Sequence, residues 1–171
     1  SNDPAVYSPE IPTTYDTSFQ VYSATPNAQN RLFYSKFSEP EAFPLPNFLS
    51  VGSANDPILS VHPLTNSLIV IKKDEGIWRI SGDDPSNFSV SLIDATIVCK
   101  AKFSSVLFSN QVQLLSNQGV CRVSESSVEI LSRPIENLIQ YALDDPYLES
   151  YTYGFAYEVE RSYYLSTLDP Q

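Results

Sequence analysis

Short runs of alternating apolar and polar residues, separated by turns that contain Gly, Pro, Asn or Asp, fill most of this chain. Such alternation is typical of β-strands, and Phe88, Val90 and Leu92 give a clear example. We also expect strands at Phe19–Tyr22 and Ile97–Cys99. The pattern predicts one short helix at Pro134–Tyr141, where proline occupies the first turn without the loss of an amide donor. Strand-forming Tyr, Phe, Val, Ile and Thr are abundant. We therefore expect an all-β fold.

A hairpin pattern occurs twice along the chain. Ser67–Ser81 recurs without gaps as Asn110–Ser124. Each copy consists of an apolar strand, a polar turn with Asp or Asn two residues before Gly, and a second strand. The structural repeat positions that this comparison singles out are Asp74, Gly76, Trp78, Arg79, Asn117, Gly119 and Arg122. We expect these positions to form the repeated turns rather than to carry chemistry.

The interval between the two copies lies within the roughly 40–50 residues at which propeller blades recur. The sequence therefore predicts β-propeller-type blades of antiparallel strands, with repeat units at about 56–94 and 95–135 and partial units on either side. We expect residues 19–171 to form this propeller segment and the proline-containing residues 1–18 to form an extended arm or linker. A closed ring takes roughly four or more blades, so we expect further chain or other copies to complete it.

Acidic residues outnumber basic ones by 20 to 10, and the formal net charge is −10. Tight binding of DNA or RNA is disfavoured because it depends largely on the neutralisation of phosphates by basic residues. This charge is compatible with a channel surface along which DNA moves without binding. No apolar run reaches the ~18–20 residues of a membrane-spanning helix. Cys99 and Cys121 lack a Cys-x-x-Cys spacing, and we expect both to be free, buried thiols.

The repeated turn has a partial likeness to the Asp-box of sialidase-type propellers. Lys72 and Leu115 stand where that box has Ser or Thr, and Trp78 comes one residue early. We therefore interpret both copies as hairpin turns, in which the Asp or Asn side chain caps the turn and Gly supplies a positive φ.

The remaining candidates for chemistry are a single histidine and two acidic pairs. His62 is the only histidine, so it cannot form a multi-histidine metal site, and no Gly-x-Ser-x-Gly motif accompanies it. Asp83 and Asp84, like Asp144 and Asp145, stand directly before proline without the spacing of a calcium loop. We interpret them as solvated turns. The sequence predicts no catalytic residue, no metal site and no cofactor.

Two further features leave alternatives open. Arg79 and Arg122 occupy matching places in the two copies, where they either pair with acidic side chains, line an inner face, or form surface ion pairs of little net value.

The Tyr-rich end of the chain is either a sugar-stacking or subunit-contact surface, or the face of an ordinary packed sheet. Its tyrosines are Tyr141, Tyr147, Tyr151, Tyr153, Tyr157, Tyr163 and Tyr164.

Several motifs follow one another in a particular order and spacing. They are Asn30–Ser35, Pro40–Pro44, Val51–Gly52, Asp56–Ile58, Leu68–Lys72, Gly76–Asp83, Leu114–Val120 and Ile130–Ile135. Together they resemble the propeller domain of the tail nozzle, or tail tubular, proteins of short-tailed bacteriophages. The resemblance covers about residues 20–166 and rests on the order of the motifs rather than on any single one.

The resemblance implies a non-enzymatic structural protein of the virion tail, assembled in the cytoplasm of the bacterial host. Members of the family form a ring, usually hexameric, that continues the DNA channel below the portal and adaptor and contacts tail fibres or spikes. Genome DNA would then pass without tight binding, and the segment would not insert into a membrane. Nozzle proteins are commonly several times longer than this chain.

Two other classes of function remain open at this point. A receptor- or carbohydrate-binding propeller module is the alternative, and exposed Tyr or Trp side chains around a pocket would favour it. A sialidase-like glycosidase is the third possibility, which two carboxyl groups roughly 5–9.5 Å apart in a cleft would favour. Large flat apolar faces, with acidic residues on a concave wall, would favour the conduit.

Overall fold

The structure is a computed structural model that describes residues 28–167. The chain divides into two compact units, Ser1–Asn55 and Asp56–Gln171. The predicted extended arm at residues 1–18 and a strand expected at Phe19–Tyr22 lie outside the described residues. The extents of the predicted repeat units stay a prediction.

Antiparallel β-sheet with few helices makes up the described chain, so the all-β prediction is confirmed. The strands are β1 (Arg31–Phe33), β2 (Phe48–Ser50), β3 (Ile58–Pro63), β4 (Ser67–Lys72), β5 (Ile77–Ser81), β6 (Ser89–Asp94), β7 (Val106–Phe108), β8 (Gln111–Ser116), β9 (Gly119–Val123), β10 (Val128–Ile130), β11 (Tyr153–Tyr157) and β12 (Ser162–Ser166). Helix α1 spans Glu136–Leu143 and helix α2 spans Leu148–Tyr151.

In the first unit, β1 and β2 form a two-stranded antiparallel sheet. The guanidinium of Arg31 lies 4.4 Å from the centroid of the Phe48 ring, a cation–π contact across the two strands. Buried Asn30 donates from its side chain to the carbonyl of Gly52 at 2.8 Å, beside the fully buried Val51. These contacts hold the two strands together despite their short length.

In the second unit, two four-stranded sheets follow one another along the chain. The first sheet has the order β3-β4-β5-β6 and the second sheet the order β7-β8-β9-β10. Each strand therefore pairs with the strand that precedes or follows it in sequence, as hairpin connections produce. A two-stranded sheet, β11-β12, comes last. Strand β7 contacts both β3 and β11, so the first strands of the three sheets are successive neighbours.

One apolar core includes residues of both four-stranded sheets. The first sheet contributes Ile69, Ile71 and Ile77, which lie on one face because they alternate or pair directly across strands. The second sheet contributes Val112, Leu114, Cys121 and Val123, which also share one face. Leu64, Ile97 and Cys99, from the connecting segments, complete this core. Packing between the sheets thus removes a continuous set of aliphatic side chains from water, the main stabilising term for such a fold.

The central strands are buried on both of their faces. In β4, neighbouring Val70 and Ile71 are both fully buried, and in β8 the same holds for Leu114 and Leu115. Neighbouring residues of a strand point to opposite faces. Each central strand therefore has packed material on either side, unlike the strands of a sheet with one face in water.

The predicted short helix is confirmed, because a 3-10 turn at Arg133–Ile135 leads directly into α1. A strand expected at Ile97–Cys99 is wrong. That segment has one isolated bridge, from Cys99 to Ser116, and its remaining backbone bonds are irregular. The side-chain oxygen of Asn117 accepts the amide of Val98 at 2.9 Å, which replaces a regular strand partner.

Candidate functional site

The first repeated turn is built around a buried charge. Lys72 ends β4 with its side chain fully buried, and its Nζ lies 3.5 Å from Oδ2 of Asp56 and also pairs with Glu75. The carboxylate of Asp56 accepts the backbone amides of Asp74 at 2.9 Å and Glu75 at 3.0 Å. A carboxylate from outside the turn thus caps it, whereas the sequence predicted a cap from the side chain of Asp74.

Gly76 and Trp78 complete this turn. Gly76 has the predicted positive φ, +83°, and its carbonyl accepts the amide of Lys72 at 3.0 Å. A Cβ atom at this position would lie 2.1 Å from the carbonyl oxygen of Asp94, so only glycine fits. The indole of Trp78 donates to the carbonyl of Glu75 at 3.2 Å. These hydrogen bonds and the close approach at Gly76 fix the shape of the turn.

The second repeated turn uses different partners. Gly119 has φ +109°, as predicted, and its carbonyl accepts the hydroxyl of Ser116 at 2.8 Å. The side chain of Asn117 binds the preceding segment, accepting from Val98 and donating to the carbonyl of Thr96 at 3.1 Å. Asn117 therefore ties the second sheet to its connecting segment, and does not act as the self-capping residue that the sequence predicted.

The two repeat arginines lie on different faces of their sheets. Arg79 pairs across from Ile69, on the core face of the first sheet, and its Nη1 donates to the carbonyl of Glu125 at 2.9 Å. Arg122 pairs across from Gln113, away from the core face, and forms an ion pair with Glu129. The ungapped alignment matches these arginines, but the strand pairing gives them separate roles.

A cavity of about 340 Å³ lies beside the second turn. Asn117 and Gln118 line it from the turn, and Glu136, Ile139 and Gln140 line it from α1. Polar and aliphatic side chains share its lining, which contains no aromatic ring. This composition offers hydrogen bonds but no stacking platform for a ring-shaped ligand.

The C-terminal hairpin carries an exposed aromatic face. Tyr153, Phe155 and Tyr157 alternate along β11 and point outward, each about half exposed. Phe155 stacks on its cross-strand neighbour Tyr164, with ring centroids 4.9 Å apart and planes inclined by 7°. Phe103 stacks on Tyr153 at 5.6 Å. The aromatic face is thus exposed on this chain, and its role as a sugar-stacking or subunit-contact surface stays a prediction.

The opposite face of the hairpin is the packed one. Gly154 lies so close to the backbone of Ser104 that a Cβ atom would be 2.4 Å from its carbonyl oxygen. The hydroxyl of Tyr163 donates to the same carbonyl at 2.8 Å. Burial raises the pKa of Tyr163, so this hydroxyl stays protonated and acts as a donor. Tyr151, which the sequence grouped with the strand, instead ends helix α2.

The acidic pairs lie at turns or bends, and Asp83, Asp84 and Asp144 are exposed, as the interpretation of solvated turns predicted. Hydrogen bonds from the hydroxyl and amide of Ser86 lower the pKa of Asp84. Asp144 accepts from the side chain of Gln140 at 3.0 Å, and Asp145 accepts the amide of Tyr147 at 2.8 Å. Each carboxylate thus satisfies a local donor.

His62 is part of strand β3, where partial burial lowers its pKa and favours the neutral ring. Both cysteines are free and buried, which confirms that prediction. Burial raises the pKa of Cys99 to about 11 and that of Cys121 to about 12, so both remain thiols at neutral pH. Among residues 28–167, no three His, Cys, Asp or Glu side chains are grouped so that they could hold a metal ion.

The comparisons with known proteins leave the family unassigned: no family model matches the chain, and a search of curated proteins gives no match. Within the described part of the chain, no helix is both long and apolar enough to cross a membrane.

The buried ion pair of Asp56 and Lys72 was not predicted from the sequence. A signal was present, because Lys72 directly continues the apolar run Leu68–Ile71. A lysine in such a run is seldom buried unless a carboxylate accompanies it. Asp56 stands just before β3, the strand that pairs with β4, and was the nearest acidic candidate upstream.

Proposed function

We propose that this chain is a propeller segment of a tail nozzle, or tail tubular, protein of a short-tailed bacteriophage. In this role it is a non-enzymatic structural component of the virion tail. Copies assemble into a ring, hexameric by analogy with the family, below the portal and adaptor. The ring continues the channel through which genome DNA passes and provides contacts for fibres or spikes.

One observation carries the proposal. Two consecutive four-stranded antiparallel sheets, β3–β6 and β7–β10, contribute to one apolar core, and their first strands are neighbours. Blades of a propeller are sheets of this size, with each pair of neighbours packed together. The β11-β12 hairpin would supply the first two strands of a third blade. Strand β11 contacts β7 in the same way that β7 contacts β3, the first strand of the first sheet. The motifs that resemble the nozzle family include strands of both four-stranded sheets.

The charge of the chain supports a conduit. With a net charge of −10, the protein repels the phosphates of DNA and does not trap it. A channel through which DNA must slide needs this weak binding more than it needs affinity for DNA.

Light scattering of the chain at increasing concentration, combined with negative-stain electron microscopy, tests the proposal. We expect a defined oligomer with an axial channel wide enough for double-stranded DNA. Filter-binding assays at physiological salt should give no tight DNA binding. A monomer at every concentration, or tight DNA binding, would contradict the proposed conduit.

The exposed aromatic face supports a second candidate, a carbohydrate-binding module. Tyrosine and phenylalanine rings that lie open to water can stack on the apolar faces of sugars. A glycan array with the wild-type chain and a Phe155→Ala variant tests this function. Binding that the variant loses would favour the module, whereas the conduit predicts no glycan binding by either protein.

A further inference from the structure

The lysine of the first repeated turn is buried beside two carboxylates. The side chain of Lys72 is fully buried, that of Asp56 is 7% exposed and that of Glu75 is 32% exposed. By contrast, Lys36 and Glu39 pair at the surface, where both side chains are about half exposed. One carboxylate neutralises one ammonium, and a buried charge costs free energy even when it is paired. The second carboxylate at Lys72 is therefore more than charge balance requires.

The three side chains are arranged as a nucleophile, a carboxyl group and a proton acceptor. Nζ of Lys72 lies 3.5 Å from Oδ2 of Asp56, which is one bond from the carboxyl carbon Cγ. The carboxylate of Glu75 is paired with the same Nζ, so it is within reach of a proton on that nitrogen. A lysine amine that has lost its proton in a site away from water is an effective nucleophile. The arrangement thus suits attack of Lys72 on Asp56.

The backbone of the turn holds the carboxyl group of Asp56 in place. The amide of Asp74 donates to Oδ1 at 2.9 Å, and the amide of Glu75 donates to Oδ2 at 3.0 Å. When an amine adds to a carboxyl carbon, negative charge builds up on the carboxyl oxygens, and fixed backbone amides stabilise charge of this kind. The turn therefore orients the carboxyl group and also supplies donors for the intermediate.

We propose that Lys72 and Asp56 form an amide bond between their side chains in the folded chain, with Glu75 as the proton carrier. Glu75 takes a proton from the ammonium, and the amine nitrogen adds to Cγ of Asp56. This proton and a second one from the nitrogen pass through Glu75 to Oδ2, and the Cγ–Oδ2 bond breaks. Oδ2 leaves as one water, Oδ1 becomes the carbonyl oxygen, and one proton stays on the amide nitrogen. The charges of the ammonium and the carboxylate cancel, so the step uses no oxidant, cofactor or further reactant.

Burial favours the product of this step. The ion pair keeps two charges in a site where Lys72 is fully buried, whereas the amide is neutral. Formation of the bond removes the cost of holding these charges away from water. The fold also supplies the proximity that a free lysine and a free aspartate lack. The released water can leave past Glu75, since that side chain is partly exposed.

The bond closes the β3-β4 hairpin at its open end. Asp56 lies just before β3, Lys72 is the last residue of β4, and the turn that follows Pro63 joins the other ends of the two strands. The hairpin becomes a covalent ring, which restricts the unfolded chain as a disulfide does. The bond adds to the loss of stability that follows removal of either residue, so the mass of the chain is the direct test. It does not depend on the proposed ring of copies.

Intact-mass spectrometry of chains that are folded and then denatured tests the bond. We expect the wild type to be lighter than its sequence by one water, whereas Glu75→Gln and Lys72→Arg keep their full mass. Asp56→Asn should lose ammonia and reach the same final mass as the wild type, because both chains form the same amide. In the control Lys36→Arg, which alters the exposed pair, water should be lost as in the wild type. Trp78 fluorescence checks that each variant is folded.

Digestion with trypsin locates the bond. Trypsin cleaves after lysine and arginine, so an amide at Lys72 blocks cleavage there, and the peptide Phe37–Lys73 should appear with one water missing. A wild type that keeps its full mass after prolonged incubation in the folded state would overturn the proposal. Loss of water that persists in Lys72→Arg, loss that maps to another peptide, or full mass in Asp56→Asn would each overturn it as well.

Discussion

Removal of the Asp56 carboxylate should destabilise the second unit more than any exposed charge change. Asp56 accepts two backbone amides of the first repeated turn and pairs with the fully buried Lys72. In Asp56→Ala, two partly buried amides lose their acceptor, and the lysine keeps its partner Glu75 but loses the buried carboxylate. Hydrogen bonds to a charged group contribute about 1.5–3 kcal/mol each, and disruption of a buried ion pair costs about 3–5 kcal/mol. Since the two terms overlap, we expect a loss of about 3–5 kcal/mol.

A double-mutant cycle with Lys72→Met separates the ion pair from the amide bonds. Methionine fills a similar volume without a charge, so the double variant no longer buries an ammonium beside a missing carboxylate. We expect the double variant to lose at least about 1 kcal/mol less than the sum of the two single losses. Urea unfolding followed by the fluorescence of Trp78, the single tryptophan of the chain, measures each free energy.

An exposed ion pair of the same unit provides the control. Arg122 and Glu129 pair on the second sheet with side chains 37% and 62% exposed, respectively. Glu129→Gln should therefore change the free energy of unfolding by less than about 1 kcal/mol. A loss in Asp56→Ala no larger than that in Glu129→Gln, or strict additivity in the cycle, would refute the argument that the buried pair holds the turn.

Three further outcomes are expected from the turns and the thiols. In urea unfolding, Gly76→Ala should lower the free energy of unfolding more than Gly119→Ala does. A Cβ atom at position 76 would meet the carbonyl oxygen of Asp94, whereas a Cβ atom at position 119 would meet the hydroxyl of Ser132, which can rotate away. Equal losses would contradict this. A thiol reagent at pH 8 should leave Cys99 and Cys121 unmodified in the native chain and should modify both in denaturant, and rapid native labelling would contradict their burial. The free energy of unfolding should fall as the pH rises above about 9. Burial raises the pKa of these thiols from 9.0 to about 11 and about 12, so the unfolded chain releases their protons at lower pH than the folded chain does. The expected loss of stability at pH 10 is about 1 kcal/mol per thiol, and replacement of both cysteines by alanine should make the free energy of unfolding less dependent on pH.

Much of the fold could be predicted because alternation is a local property. Phe88, Val90 and Leu92 predicted the strand that the structure has at Ser89–Asp94. The positive φ of Gly76 and Gly119 also followed from local turn chemistry. The segment Ile97–Cys99 looked equally apolar, but the distant side chain of Asn117 binds its backbone, and no local pattern reports that contact.

The candidate site was harder to predict because strand register depends on turn length. The last paired residues on either side of the first turn are Ile71 and Ile77. On either side of the second turn they are Ser116 and Gly119, so the second turn is shorter. Since neighbouring strand residues alternate between faces, this difference places Arg79 and Arg122 on opposite faces although the sequences align without gaps. Burial of Lys72 depends likewise on the carboxylate of Asp56, which lies before the repeated hairpin Ser67–Ser81 begins.

We propose that the two four-stranded sheets and the hairpin are consecutive blades about a common axis. An experimental structure of the assembled chain, by cryo-electron microscopy or crystallography, would show whether they are. We expect β3, β7 and β11 to be the innermost strands, arranged in that order around an axial channel. A closed sandwich of the two four-stranded sheets, without an axis that the three first strands share, would contradict it.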